Sequence, residues 1–363
     1  MDWLVPLVGA LVVLAVAQDV FVTVLFPASG HGLIRRPASR LIWAAFRLVG
    51  RRTHGQRRRG LLAYGGPVQV AVTLGTWLVL LVVGWALIFE PALGTGIRAT
   101  SGPTDTGWAP AIYFSGYSLT TLGTGDVVPT TGLYRILTVT EALMGFATIS
   151  MVVTYFLSVY TNLVGRNAFA NALQHRTRDS GDAAELLVTL AHSGGLSGSP
   201  GFFSELTRFT LNTYETHRSY PVLRYFHYRQ AYYSLPRILL VTLDSATLIR
   251  TALHADRYQE LIRSIGAEGL TDSALQLVGE LVPGAAARPP TEAAAAAWRR
   301  RYERAIKQLG DAGLAVNCDP VAGADAYVRE RGQWDAQVRR LARATLYEWD
   351  VVDHALSRDP SVS

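Results

Sequence analysis

Three long apolar stretches, Leu4–Phe26, Val68–Phe89 and Leu133–Leu163, limit what this chain of 363 residues can fold into. Each is long enough to cross a bilayer, which takes about 20 residues. In lipid no water satisfies an exposed backbone, so such a stretch must bond its own N–H and C=O groups as a helix. All three lie in the first half. Charged residues make up 17% of the chain, against about 25% in soluble domains. The expected fold class is an all-α membrane protein with three transmembrane helices, followed by an α-helical cytoplasmic domain.

The charges orient these spans. Residues 28–66 hold nine arginines and no acid. A short arginine-rich loop stays in the cytoplasm. The first span then runs outside to inside, with its amino terminus outside. The second returns outward, segment 90–131 is external, and the third span leaves 165–363 cytoplasmic. The location that follows is the cell (plasma or inner) membrane, crossed several times. Asp2 and the lack of a basic amino-terminal region argue for a retained first span over a cleaved signal peptide. Because the excess of positive charge sits in one loop, it reads as a topology signal and not as a nucleic-acid surface. Within that loop Leu33–Val49 alternates apolar residues with arginines. This reads as an amphipathic helix drawn to anionic lipid; the other reading is an orientation signal whose helix stops at Pro37.

Between the second and third spans lies Thr121-Leu122-Gly123-Thr124-Gly125-Asp126. Glycine at alternate positions lets neighbouring carbonyls face one way, through φ values closed to side chains with a Cβ. This run, with an aromatic helix expected over Trp108–Leu119 ahead of it, resembles the selectivity filter of the potassium channel pore family. The resemblance covers about Val68 to Leu163, and the family's external filter agrees with the topology read from the charges. It implies a re-entrant pore helix and filter, with potassium ions held by carbonyls of Thr121, Leu122, Gly123 and Thr124, Gly125 closing the turn, and no other cofactor. Asp126 would brace the outer mouth, supported by Tyr113, Phe114, Tyr117 and Thr120. The run occurs once, so a closed ring of carbonyls needs four chains, a homotetramer.

Two positions depart from the family. Most members carry Tyr or Phe where Thr124 stands. Either Tyr113, Phe114 or Tyr117 fills that gap, or the filter is softer and passes sodium as well as potassium. Several members carry Glu where Tyr117 stands, so Asp126 needs another partner, Trp108 or Tyr117. Within the third span, Gly145 falls where the family has a hinge glycine; close helix packing is the alternative. Phe146, Ile149 and Val153 follow at helical spacing and would line the cavity or inner gate. Glu141 and Asp19 are ionisable groups inside spans. Glu141 is placed to accept a hydrogen bond from Tyr117 or Thr120, and Asp19 to pair with Arg35 or Arg36.

The four segments expected are thus 1–27, an extra span; 28–66, the arginine-rich linker; 67–164, the pore domain; and 165–363, the cytoplasmic domain. In the last, helices are expected at Asn167–Arg178, Asp182–His192, Phe202–His217, Tyr220–Tyr233, Pro236–His254, Asp272–Leu281, Thr291–Leu309 and Ala324–His354. Pro236–His254 reads as a buried core helix and not a fourth span. The arginines of 299–304 read as a solvated basic face. Gly194–Gly198 follows no strand and makes a poor dinucleotide fingerprint. The single cysteine, Cys318, excludes an intrachain disulfide. With no nucleophile elbow, zinc motif or phosphate loop in sight, an enzyme is not expected. The leading function is a tetrameric potassium channel gated by its cytoplasmic domain, by a stimulus or cytoplasmic ligand that the sequence does not name. A non-selective cation channel and a non-conducting membrane receptor or scaffold are the alternatives.

Overall fold

The computed structural model describes residues 3–25, 35–53, 55–192, 196, 200–284 and 287–353. Two compact units emerge, Met1–Val49 with Gly65–Thr161, and Gly50–Tyr64 with Asn162–Ser363. The arginine-rich linker is therefore shared between them. In chain order the first helices are α1 (Leu4–Val24), α2 (Arg35–Arg52), α3 (Gly55–Ala63) and α4 (Gly65–Phe89). Helix α2 runs through Pro37. A proline in the first turn lacks only an N–H that would be unpaired there anyway, so it does not stop the helix. Among the described residues three helices are long and apolar enough to span a membrane, and they overlap the three apolar stretches.

Next come β1 (Ile97–Ala99), α5 (Trp108–Leu119), β2 (Val127–Pro129) and α6 (Gly132–Arg176). The two short strands pair antiparallel, Arg98 opposite Val128, so the fold is not wholly helical as expected. In the first unit, Val13, Val16 and Val20 of α1 and Trp77, Leu81, Trp85 and Phe89 of α4 share a core with Phe114 and Tyr117 of α5. Asp19 accepts a hydrogen bond from Trp77 Nε1 at 2.8 Å, and both residues are buried. That bond gives Asp19 a neutral partner within the span; the side chains of Arg35 and Arg36, the partners expected for it, lie outside the described residues. Helix α6 is continuous for 45 residues, about 67 Å at 1.5 Å per residue. A break after Leu163 was expected, but Gly165 does not interrupt it; one interior glycine costs only about 1 kcal/mol.

The second unit is built from α7 (Ala183–His192), α8 (Pro200–Ser219), α9 (Leu235–Ala252), α10 (Gln259–Ile262), α11 (Ile265–Leu281), α12 (Glu292–Asp311), α13 (Pro320–Gly332), α14 (Asp335–Ala344) and α15 (Trp349–Val352). Helix α9 is buried at every residue but Arg250, as expected of a core helix, with Ser234 capping its start by accepting from Arg237 N. The stretch expected as a helix at Tyr220–Tyr233 is instead two single 3₁₀ turns, Pro221–Tyr225 and Ala231–Tyr233. Its rings stack on other elements: His227 lies against Tyr347 at 3.9 Å. The expected helix 324–354 is broken into α13, α14 and α15, and its last residue, His354, lies outside the described residues, as does most of Gly194–Gly198.

The basic face expected on α12 is only partly solvated. Arg301 is buried and pairs with Asp244 of α9 at 2.8 Å and with Asp353 at 2.7 Å. Arg331 of α13 reaches the same two carboxylates at 3.1 and 3.0 Å, and Asp335 at 3.2 Å. Tyr327 donates to Asp244 Oδ1 at 2.5 Å. Burial alone would raise the Asp353 carboxyl, but Arg301 and Arg331 outweigh it and hold it down at about 2. His217 and His227 are buried as neutral rings, held at about 3 chiefly by burial, with Arg166 repelling a charge on the first and Arg58 and Arg59 on the second. Among the described residues no cluster of His, Cys, Asp or Glu is arranged to hold a metal ion.

Candidate ion-conduction site

Helix α5 occupies Trp108–Leu119, the span expected of the short aromatic helix, and buries Phe114 and Tyr117 while Trp108 and Tyr113 are exposed. Phe114 packs edge-on against Phe89 at 5.0 Å and against Tyr117 at 5.3 Å. Phe114 is therefore anchored behind α5 and does not reach Thr124. The chain leaves α5 through tight bonds: Thr121 N donates to Ser118 O at 3.1 Å and Leu122 N to Tyr117 O at 2.8 Å.

Beyond them the backbone alternates in handedness. Thr121, Gly123 and Gly125 have φ of 57°, 62° and 76°, while Leu122 and Thr124 between them do not enter that region. Such alternation turns successive carbonyls toward one side of the chain. Thr121 holds this conformation without being glycine, at a cost of about 1–2 kcal/mol. Strain of this kind persists where the surroundings over-determine it. Residues 121–126 are all exposed in the single chain.

The mouth of this run is tied on two sides. Thr100 Oγ1 donates to the carbonyl of Gly125 at 2.6 Å, and Thr100 N to the carbonyl of Asp126 at 2.8 Å. The β1–β2 pairing carries the strand just after Asp126. On the other side Thr124 Oγ1 donates to Asp126 Oδ1 at 2.5 Å. The Tyr113 hydroxyl donates to Asp126 Oδ2 at 2.9 Å and lies 3.2 Å from Thr124 Oγ1. These hydroxyls, Thr124 first, hold the Asp126 carboxyl below the usual carboxylate range. The partner expected for Asp126, Trp108 or Tyr117, is therefore replaced by Tyr113 and Thr124. Trp108 stays exposed, and the Tyr117 hydroxyl donates to the Val127 carbonyl. Tyr113 stacks edge-on with Tyr117 at 5.2 Å. Of the three aromatics weighed for the gap beside Thr124, Tyr113 is the one that meets it.

Glu141 sits fully buried on α6, behind α5. Its Oε1 accepts from Ser115 Oγ at 2.6 Å, and neither Tyr117 nor Thr120 reaches it. Thr120 instead bonds back to the Gly116 carbonyl at 2.8 Å. Gly145, one turn further along α6, lies against the end of α5: a Cβ there would stand 2.0 Å from the Leu119 carbonyl oxygen. That is the contact the close-packing alternative requires. Phe146, Ile149 and Val153 are exposed on the single chain, on an α6 surface that also presents Leu133, Ile136, Val139, Leu143 and Leu157. Sequence reasoning missed Ser115 and Thr100. Ser115 falls on the same side of α5 as Leu119, four residues on, so helical periodicity could have marked it. Nothing local marks Thr100, whose role arises from the β1–β2 pairing.

Residues 74–162 match the sequence profile of a family described as "Ion channel". The chain is also 30% identical over 256 residues to the "Uncharacterized membrane protein YdjJ" of Bacillus subtilis (strain 168), covering 69% of this chain and 71% of that protein. No solved structure matches. The chain belongs to the ion channel family of the potassium-channel pore type, which is the family its Thr-x-Gly-x-Gly-Asp run resembles.

Proposed function

We propose that this chain is one subunit of a tetrameric cation channel that prefers potassium. Thr121–Gly125 forms its filter, α5 its re-entrant pore helix, and the helical second unit its cytoplasmic regulator. The observation that carries this reading is the alternating left-handed φ at Thr121, Gly123 and Gly125. It sits between two membrane-length helices in the region of the family match. A ring of such carbonyls replaces an ion's hydration shell, and one run per chain needs four chains to close the ring. The α5 carboxyl end, where the helix dipole favours a cation, leads into the run. Exposure of residues 121–126 and of Phe146, Ile149 and Val153 on the single chain supports their facing other copies around the pore. Helix α2, with its arginines, would lie on the inner leaflet against anionic lipid.

Potassium preference rests on Tyr113. Its hydroxyl supplies from the pore helix the brace that Thr124 cannot supply alone. Tyr113→Phe removes only that hydroxyl and with it the bond to Asp126 Oδ2. The expected outcome is a channel that still conducts but discriminates less between potassium and sodium, read from reversal potentials in planar bilayers. Unchanged selectivity would remove Tyr113 from this role.

The filter assignment is tested by Gly123→Ala. At φ 62° a Cβ is strained, yet nothing lies within 4 Å of it in the chain. The cost of about 1–2 kcal/mol per subunit falls on filter geometry and not on packing. Potassium flux into liposomes should vanish while the tetramer still forms on size-exclusion chromatography. Normal flux in this variant would rule the assignment out.

A further inference from the structure

We infer that the second unit binds a phosphorylated small molecule of about nucleotide size, in a cavity walled by Arg59, Arg229 and Arg237. The cavity is half open and about 420 Å³ in volume, lined also by Gln174, Asp179 and Tyr232. That volume lies in the range of small-molecule sites, about 300–1,000 Å³. Three arginines and one acid, Asp179, line the cavity, so it carries an excess of positive charge. Guanidinium forks match phosphate oxygens in pairs, which makes such a cluster a recognition site for phosphate and not merely for charge. The Tyr232 ring supplies a flat apolar face beside them, suited to the non-phosphate part of a ligand.

The site is built, not incidental. Arg237 is buried, its Nη1 donating to the Val352 carbonyl at 2.5 Å and its Nη2 to the Ser180 carbonyl at 2.7 Å. Those bonds fix the guanidinium at the cavity wall and tie α15 to the loop after α6. Gln174 Nε2 donates to the Asp179 carbonyl at 2.9 Å, and Asp179 holds a left-handed φ of 60°. The Arg58–Glu348 ion pair, 2.7 Å, secures α3 to the same carboxyl-terminal region. The positive surroundings also reach His227, whose protonation Arg58 and Arg59 oppose after burial itself. The walls come from chain that continues directly into membrane-length helices. Arg59 lies on α3, which leads into α4, and Gln174 lies on the last turn of α6. A ligand held between them is therefore in a position to bias both.

The test uses full-length protein in lipid nanodiscs, titrated calorimetrically at physiological salt with pyrophosphate and with adenosine monophosphate. Adenosine is the uncharged control. Saturable binding of a phosphorylated probe, with none of adenosine, is expected. Arg229→Ala, at an exposed position, and Arg59→Gln should each weaken it about tenfold or more, as loss of one charged hydrogen bond implies. Arg57→Ala, two residues away and so on the far face of α3, should leave it unchanged. No saturable binding of either phosphorylated probe, no loss in the two cavity variants, or an equal loss in Arg57→Ala would overturn the site. The binding claim does not depend on conduction. Binding that follows this pattern in a protein passing no current would support the site and count against the proposed pore.

Discussion

Gly145→Ala is expected to silence ion flux and to lower the melting temperature of the protein. The added Cβ would stand 2.0 Å from the carbonyl oxygen of Leu119 and 2.9 Å from its carbon, both backbone atoms. Backbone cannot rotate away as a side chain can, so the end of α5 has to move. That end leads within two residues into Thr121, which the proposal makes the inner edge of the filter. Overpacking costs about 1–3 kcal/mol, multiplied across the copies of a tetramer. The sign separates the two roles weighed for this glycine. A glycine kept only for flexure would gain about 1 kcal/mol of helix propensity on becoming alanine, and the protein would melt higher with altered gating. Thermal unfolding followed alongside liposome flux distinguishes the cases: a higher melting temperature with flux retained would refute the packing role.

Asp244→Ala should produce the largest loss of stability in the second unit. Asp244 is buried on α9 and is shared by Arg301, Arg331 and the Tyr327 hydroxyl. Removing it leaves two buried guanidiniums with only Asp353 and Asp335 between them. Breaking a buried pair by deleting one partner costs about 3–5 kcal/mol, because the surviving charge stays out of water. In a unit of this size each kcal/mol lowers the melting temperature by about 2–4 °C, so a fall of about 6–20 °C is expected. Helices α12, α13 and the segment at Asp353 should also become faster to cleave by protease. A melting temperature unchanged within about 2 °C would mean the cluster is not what joins these elements.

The spans and the short helix before the filter were legible because their signals are local. Leu4–Phe26, Val68–Phe89 and Leu133–Leu163 each declare a membrane helix by length and hydropathy alone. Trp108–Leu119 is bounded by Gly107 and by the Thr/Gly run. The alternation at Thr121, Gly123 and Gly125 was legible in the glycine spacing, except that a threonine holds one of the three left-handed positions. What stayed hidden depends on residues distant in sequence. Asp19 meets Trp77 across 58 residues and Arg301 meets Asp353 across 52. Arg301 looks like its neighbours Arg299 and Arg300 in composition, and only the position of α9 decides that it is buried. The Tyr220–Tyr233 stretch reads as helix by composition, but Pro221 and rings that pack on Tyr347 favour short turns. Tyr113 illustrates the boundary. Its helix was evident, and it was one of three candidates beside Thr124, but selecting it required the position of its hydroxyl.

The central claim is a fourfold ring of carbonyls built from Thr121–Gly125. It is tested most directly by an experimental structure of the assembled protein in potassium, with ion density counted site by site along the symmetry axis. Four chains around one axis, with density centred between successive rings of Thr121, Leu122, Gly123 and Thr124 carbonyls, is the predicted result. An assembly of any other number of chains, or a fourfold axis empty of ions at these carbonyls, would contradict it.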